Sequence, residues 1–249
     1  MCRPAWCWRN RGVRTAEETA EGKQEAELSV APALLRAVAL AGRVVSGDAL
    51  YCQRTLMRQI RRAGGHFLFA VKANQPELAA EVALLFDQPP PGETFAVARR
   101  RGQHGSRHEQ RTLWASAALS AYLREAGWPQ IQRVLRVERR VYARGVETRE
   151  VRDFVTSLDV SWSAGDVLEL VRAHWRIENT LHYVRDVTLG EDASAVRSGA
   201  APRVMAALRN AVLGVLHRRG WRNIAAALRH YAWRPASHVL RLLGISLTG

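Results

Sequence analysis

The stretch Arg172–Asp192 carries a polar and an apolar stripe at helical spacing. Its polar stripe consists of His174, Glu178, His182 and Asp186, which recur every four residues and so share one helix face. Apolar side chains interleave with them and give the helix a second face that can pack on a core. The polar face fits three roles: an ordinary solvated surface, a zinc site using the spaced histidines, or a carboxylate that binds magnesium with partners from distant strands. Spacing alone leaves all three open.

Two short apolar runs earlier in the chain predict buried strands. Val44–Val45 precede Asp48, and the second run, within residues 66–75, leads into the polar Lys72. A helix predicted over residues 49–63 separates them, so the order is that of a β-α-β unit with parallel strands. Ligands of such sheets gather at the carboxyl ends of the strands, where Asp48 and Lys72 both lie. Asp48 could equally cap the following helix, a frequent role for Asp at such a turn.

The pattern changes after the Pro-rich boundary at residues 88–92. Between residues 94 and 158 apolar and polar positions alternate in the stretches EQRTLWAS (109–116), QIQRVLRVERRVYA (130–143) and TREVRDFVTSL (148–158). They predict antiparallel strands with Arg144–Gly145 as a hairpin turn. We interpret this region as a β-rich insertion within an α/β unit. Its basic residues over 104–111 could contact DNA, although an exposed charged strand explains them as well.

Helical spacing returns after residue 160. We predict one long helix over residues 166–184, which carries Glu178, and two further helices over 203–218 and 221–230. Pro202 stands where a helix can begin, because its missing N–H leaves no bond unmade in the first turn.

Charge adds a partner to this outline. The chain has a formal net charge of +14 and a pI near 11.1, which indicates a polyanionic partner, most often nucleic acid. No acidic residue follows Asp192, whereas nine arginines lie between Arg197 and Arg241. An uncompensated basic helical region of this kind favours contact with phosphates.

Composition sets the class and the compartment. At 249 residues, 47% apolar and 24% charged, the chain has the composition of a globular protein. Its apolar runs fall short of the roughly 20 residues that a membrane span needs, so we expect no membrane partner. The three cysteines show no repeated metal-binding spacing and fit a reducing, cytoplasmic setting.

Four stretches of the chain together resemble the transposases of bacterial insertion sequences of the ISAs, or H-repeat-associated, type. They are GRVVSGDALYCQ (42–53), FLFAVKANQPEL (67–78), HWRIENTLHYVRDVTLGEDAS (174–194) and PRVMAALRNAVLGVL (202–216). They keep the order and approximate separation of the family, so the resemblance covers roughly residues 24–245.

The resemblance implies an α/β fold with a ribonuclease-H-like core and a catalytic triad of two Asp and one Glu. The second Asp matches Asp48 and the Glu matches Glu178. In the family this triad binds two magnesium (or manganese) ions, which serve in-line displacements at phosphorus during cleavage and joining of DNA. Hard divalent ions prefer carboxylate oxygens, so the resemblance favours the magnesium role for the polar helix face.

The resemblance also implies residues that hold DNA around the catalytic Glu. Related transposases have an Arg upstream of it and a basic residue downstream; here His174 replaces the Arg, and Arg185 takes the downstream position. Arg172 and Arg176 are near enough to substitute, and Lys72 joins the set at its strand end. The implied partners are element ends and target DNA, bound by a dimer or a higher assembly.

The first Asp of the triad has no counterpart, because Asp48 is the first aspartate of the chain. We therefore expect a ribonuclease-H-like core that is incomplete at its N-terminus, and little or no transposition by this chain alone. The alternative is a non-catalytic DNA-binding remnant, or a modulator of a full-length transposase.

These expectations divide the chain into four segments. They are an irregular N-terminal segment (1–27), the first part of the core (28–87), the β-rich insertion (88–160), and the second part of the core with the Glu178 helix and the basic C-terminal helices (161–249).

Overall fold

The computed structural model describes residues 20–177, 183–196 and 198–242, which form two units that divide after His174. The strands of the first unit are β1 (Val44–Gly47), β2 (His66–Val71), β3 (Ala96–His104), β4 (Arg107–Ser116), β5 (Arg133–Ala143) and β6 (Val146–Thr156). Its helices are α1 (Ala20–Arg36), α2 (Arg54–Arg62), α3 (Pro76–Asp87) and α4 (Ser120–Glu125), and the division falls within α5 (Ala164–Ile177).

All six strands form one sheet in the order β1-β2-β6-β5-β4-β3. β1 and β2 are parallel, with Ser46 opposite Leu68, and every other neighbouring pair is antiparallel. The predicted α/β class and the predicted β-α-β unit are thereby confirmed. Because both strands run the same way, their carboxyl ends lie at one edge of the sheet.

The strands of residues 88–160 continue the sheet of β1 and β2. β6 pairs directly with β2, where Val155 lies opposite Phe69. The predicted hairpin turn is present, since Arg144 and Gly145 both have positive φ, at 52° and 79°, as a two-residue turn requires. The functional division of the chain into four segments stays a prediction.

Strand β3 is absent from the pattern-based prediction. Three consecutive arginines, Arg99–Arg101, replace the apolar alternation that identifies β4, β5 and β6. β3 lies at the edge of the sheet and pairs with β4 alone among the described strands, so few of its side chains need to be apolar. Charged residues on such an edge oppose unwanted pairing with another sheet.

Both faces of the sheet contribute to the core. On one face, Phe67, Phe69 and Val155 pack with Met57 of α2 and Val82 of α3. On the other face, α5 lies across the strands, because its Glu169 contacts Arg100 of β3 and its His174 contacts Ser46 of β1. We call the side of the sheet that α5 covers the α5 face. The buried α5 residues of the first unit are Val167, Leu168 and Val171.

Two helix predictions need correction. The helix expected over 49–63 is interrupted: a 3-10 turn, Ala49–Tyr51, precedes α2, and Gln53 between them is extended with φ −124° and ψ 133°. The short helix α4 is missing from the prediction because six residues carry too little periodic signal.

The second unit is helical and has its own small core. It contains a π-helical turn (Val184–Thr188) and helices α6 (Ala201–Arg218), α7 (Ile224–Ala232) and α8 (Ala236–Leu242). Leu213, Leu216, Ile224 and Ala227 are buried together, with Leu189 packed against them. Pro202 lies in the first turn of α6, as predicted.

The long helix expected over 166–184 is only partly described. It is α-helical to Ile177, residues 178–182 lie outside the described residues, and the turn from Val184 is π-helical. Of the helices that the structure describes, none has the length and apolar character to cross a membrane.

We predict that Glu138 stabilises the sheet in a pH-dependent manner. Its side chain is 7% exposed and accepts hydrogen bonds from Arg140 and Arg149, at 2.5 Å each. Burial raises the pKa of Glu138, but the two arginines outweigh it and the net pKa lies below the ordinary 4.5. A group with a lowered folded-state pKa stabilises above its unfolded pKa and loses that contribution as the pH falls through the folded value.

Urea unfolding at pH 7 should therefore show that Glu138→Gln lowers the free energy of unfolding by about 1 kcal/mol. The difference in unfolding free energy from wild type should shrink as the pH falls below about 4.5. Glu147→Gln, an exposed partner of Arg140 at 3.9 Å, is the control and should change little. A Glu138→Gln deficit that is unchanged at acidic pH would contradict this assignment.

Candidate active site at the carboxyl end of β1

Asp48 follows the last residue of β1 and begins the 3-10 turn Ala49–Tyr51. It occupies the cap position, with φ −67° and ψ 172°, yet among the described residues its carboxylate makes no capping hydrogen bond. The side chain is 52% exposed. The sequence allowed a capping role for Asp48, but its side chain does not cap the turn. The carboxylate oxygens remain accessible from the edge of the sheet.

His174 of α5 lies against this carboxylate. Its Nε2 is 3.9 Å from Asp48 Oδ1, and its Nδ1 is 3.2 Å from Ser46 Oγ. Ser46 and Asp48 are two residues apart, so both side chains project to the same face of the strand. When the Ser46 hydroxyl donates to Nδ1, the imidazole proton is on Nε2, which faces Asp48. The hydrogen bond between Ser46 and His174 thus orients the imidazole toward the Asp48 carboxylate.

Basic side chains lie around the Asp48 carboxylate. The pKa of Asp48 is lowered from its ordinary value, first by the nearby imidazole of His174, whose Nε2 is 3.9 Å away, against partial burial that raises it. The charges of Lys72 and Arg152 lower it further, as does that of His174 when its imidazole is protonated. Asp48 is therefore ionised at neutral pH, the state that a metal ligand needs.

Side-chain hydrogen bonds join the two strand ends around Asp48. Asn74 Nδ2 donates to the carbonyl of Ala49 at 2.6 Å, and Gln75 Nε2 donates to the carbonyl of Cys52 at 3.1 Å. The residue before Asp48 is Gly47, which leaves no room for a side chain. A Cβ there would lie 3.1 Å from Tyr51 and 3.3 Å from Phe69. Asn74 and Gln75, the polar residues that follow β2, thus fix the turn that carries Asp48.

The structure brings some of the predicted site residues together. Asp48, Lys72 and His174 share the edge of the first unit, and Lys72 is exposed there. Arg172 is on the same helix as His174 and donates to Glu169 at 2.7 Å. Glu178, the predicted catalytic Glu, lies outside the described residues.

The other two predicted DNA-binding residues lie in the second unit. Arg176 is exposed. Arg185 makes a two-pronged pair with Glu191, at 2.8 Å from both Nε and Nη2. Glu191, which lies in the transposase-like stretch 174–194, therefore holds Arg185 in place. A phosphate that binds Arg185 would have to compete with the Glu191 carboxylate. Their role in DNA binding stays a prediction.

Two neighbours of Asp48 were missed by the sequence reasoning. Ser46 could have been found, because it precedes Asp48 by two residues in the same strand and so shares its face. Arg152 could not, because its approach depends on the pairing of β6 with β2, a register that no local pattern reveals.

The described residues offer an incomplete metal site. No group of three or more His, Cys, Asp or Glu that could hold a metal occurs among them. Asp48 fits a hard divalent ion, since it is ionised and accessible. Cys52 does not, because its thiol is buried and its pKa is raised to about 12 by that burial. A metal here needs further carboxylates, and the sequence supplies Glu178 four residues after His174.

The resemblance implies an accessible carboxylate at the end of a parallel strand, and comparison with known families tests the family itself. The model of the transposase DDE domain family matches residues 18–214. The chain therefore belongs to this family of DDE-type transposases, which generally use divalent metal ions.

Individual relatives carry related names. The chain is 25% identical to "Putative transposase YncI" of Escherichia coli O157:H7 over 214 residues, covering 82% of this chain and 53% of the relative. It is 25% identical to "H repeat-associated putative transposase YhhI" of Escherichia coli K12 over 198 residues, covering 76% and 51%. A protein described as uncharacterized from Xanthobacter autotrophicus is 33% identical over 135 residues, covering 53% and 44%.

The chain thus spans about half the length of the curated relatives it matches. The predicted resemblance to H-repeat-associated transposases is confirmed at the level of the family.

We predict that His174→Ala raises the pKa of Asp48 toward its ordinary value of 3.8, because the largest favourable partner of the carboxylate is lost. Carbon-13 NMR titration of the aspartate carboxyls measures it, with Asp48→Asn to assign the resonance. Ser46→Ala keeps the imidazole and should move the pKa less. An Asp48 pKa that His174→Ala leaves unchanged would refute the contact.

Proposed function

We propose that this chain acts as a DDE transposase of an insertion sequence, with Asp48 and Glu178 as the second Asp and the Glu of its triad. The observation that carries the proposal is the uncapped, ionised carboxylate of Asp48, at the carboxyl end of β1, inside the segment that matches the transposase family. The parallel pair β1–β2 with helices on both faces supports a ribonuclease-H-like core.

Asp48 and Glu178 would hold divalent ions, magnesium or manganese. When bound, such ions supply activation of the attacking oxygen and stabilisation of the leaving oxygen in phosphodiester cleavage and strand transfer. The chain's own residues orient the site. His174 holds the Asp48 carboxylate in its charged form, and Lys72 and Arg152 place positive charge where a phosphate would approach.

The proposed substrate is DNA, both element ends and target. The net charge of +14 favours such a partner, and Arg172, Arg176 and Arg185 would contact its backbone. We propose that the protein works where bacterial DNA is, in the cytoplasm, as a dimer or higher assembly on DNA. Strand transfer by this chain alone should be slight, because no Asp precedes Asp48 to complete the triad.

Manganese binding tests the proposal without requiring turnover. Asp48→Asn and Glu178→Gln should each weaken Mn²⁺ binding by about tenfold or more, because each removes a charged oxygen ligand. Electron paramagnetic resonance of free Mn²⁺ measures the affinity. Glu125→Gln, an exposed carboxylate at the end of α4, is the matched control and should leave it unchanged. Equal binding by all three variants would count against the assigned ligands.

A second candidate function is DNA binding without catalysis, as a remnant or as a modulator of a full-length transposase. The observation in its favour is the second unit, where Arg218, Arg219, Arg222, Arg229 and Arg234 are exposed and no acidic residue follows Asp192. The two functions separate in one comparison. Metal binding that Asp48→Asn weakens, with DNA affinity retained, supports the transposase, whereas salt-sensitive DNA binding without Asp48-dependent metal binding supports the alternative.

A further inference from the structure

The α5 face carries a concentration of arginines next to the candidate active site. Arg100 of β3, Arg111 of β4 and Arg139 of β5 are direct cross-strand neighbours in the sheet. We propose that these three, which we call the arginine row, form a docking surface for a DNA strand that leads to Asp48, with Arg152 and Arg172 at its inner end. The inference rests on the proposed function, since it names where the substrate of that site lies.

The geometry of the row suits a phosphate backbone. Neighbouring strands are about 4.8 Å apart, so the backbones of three adjacent strands span about 10 Å, a length over which a DNA strand presents more than one phosphate. The three side chains project to the same face because they are register partners. Strand pairing fixes the backbone positions of the three arginines, so no backbone ordering entropy is lost when a phosphate binds.

Ion pairs hold these arginines without neutralising them. Glu109 contacts Arg111 at 2.6 Å, Arg139 at 3.0 Å and Arg107 at 3.7 Å. Glu150 contacts Arg152 at 2.6 Å and Arg139 at 3.6 Å, and Glu169 contacts Arg172 at 2.7 Å and Arg100 at 3.1 Å. Every glutamate thus serves at least two arginines, which leaves a positive surplus on this face.

Crowding of like charges is visible at the centre of the row. Burial lowers the pKa of Arg111, Glu109 opposes that effect, and the neighbouring charges of Arg139 and Arg172 lower it further. An anion over the row would relieve this repulsion. The guanidinium groups suit it, because each presents a planar fork that matches phosphate oxygens.

The row is continuous with the candidate active site. Arg152 precedes Asp153, which lies opposite Val71 at the carboxyl end of β2, one residue before Lys72. Arg172 shares Glu169 with Arg100. The outer end is accessible, with the Arg100 side chain 56% exposed. A strand with one phosphate at Asp48 would therefore pass the inner arginines before it reaches Arg100.

The opposite face of the same sheet provides matched controls. Arg99 and Arg101 flank Arg100 in β3 and, by strand alternation, project to the other side. That side has a cavity of about 620 Å³ lined by Arg99, Trp114 and Arg140. If DNA lay there instead, Arg99 rather than Arg100 would govern binding.

Fluorescence anisotropy with a labelled 30-nucleotide DNA of arbitrary sequence, single-stranded and duplex, tests the inference on the full chain in EDTA. Arg100→Gln should weaken binding about threefold to tenfold and reduce the slope of log affinity against log salt by about one unit. Arg99→Gln should leave the slope unchanged. An equal loss in both variants, or a loss in Arg99→Gln alone, would overturn the assignment to the α5 face.

Glu169→Gln supplies a test with the opposite sign. It removes the carboxylate that competes for Arg100 and Arg172, so DNA binding should tighten by about twofold to fivefold. A merely structural network would show unchanged or weaker binding. Glu147→Gln, on the opposite face, should have no effect. Thermal unfolding checks that each variant is folded.

The result can be separated from that of the proposed function. DNA binding in EDTA does not depend on a bound metal, so the row can be confirmed even if Asp48→Asn leaves Mn²⁺ binding intact, and that outcome would reject the metal site alone. Conversely, Asp48-dependent metal binding with no effect of Arg100→Gln or Glu169→Gln would reject the row and leave the proposed function standing.

Discussion

The parallel pairing of β1 with β2 is the constraint on which the candidate site depends. It aligns two carboxyl strand ends, so that Asp48 and Lys72 lie at one edge of the sheet. Packing of Phe67 and Phe69 with α2 and α3 fixes the pair from one side. From the other side α5 crosses the sheet and brings His174 to Ser46 and Asp48. A carboxylate held in this way needs no strain in its own backbone.

Part of this arrangement follows from the sequence, because local patterns determine it. The short apolar run before Asp48 predicts a buried strand, and the Arg144–Gly145 pair predicts a hairpin through its need for positive φ. The transposase motifs identify Asp48 as a candidate ligand. Each of these features depends on residues that are neighbours in the chain.

The remaining parts depend on long-range pairing, which no local pattern contains. The contact of β6 with β2 brings Arg152 to Asp48, across more than one hundred residues of chain. The arginine row exists only because the registers of β3, β4 and β5 place one arginine of each strand side by side. Within the sequence these residues resemble an ordinary charged strand.

Iron-directed cleavage of the protein backbone shows whether Asp48 and Glu178 hold the same metal. Fe²⁺ can replace Mg²⁺ at oxygen sites, and with ascorbate and peroxide it produces radicals that cut the chain close to the metal. We expect cuts beside Asp48 and beside Glu178, both lost in Asp48→Asn. Cuts at other positions, or cuts that persist without the Asp48 carboxylate, would contradict this expectation.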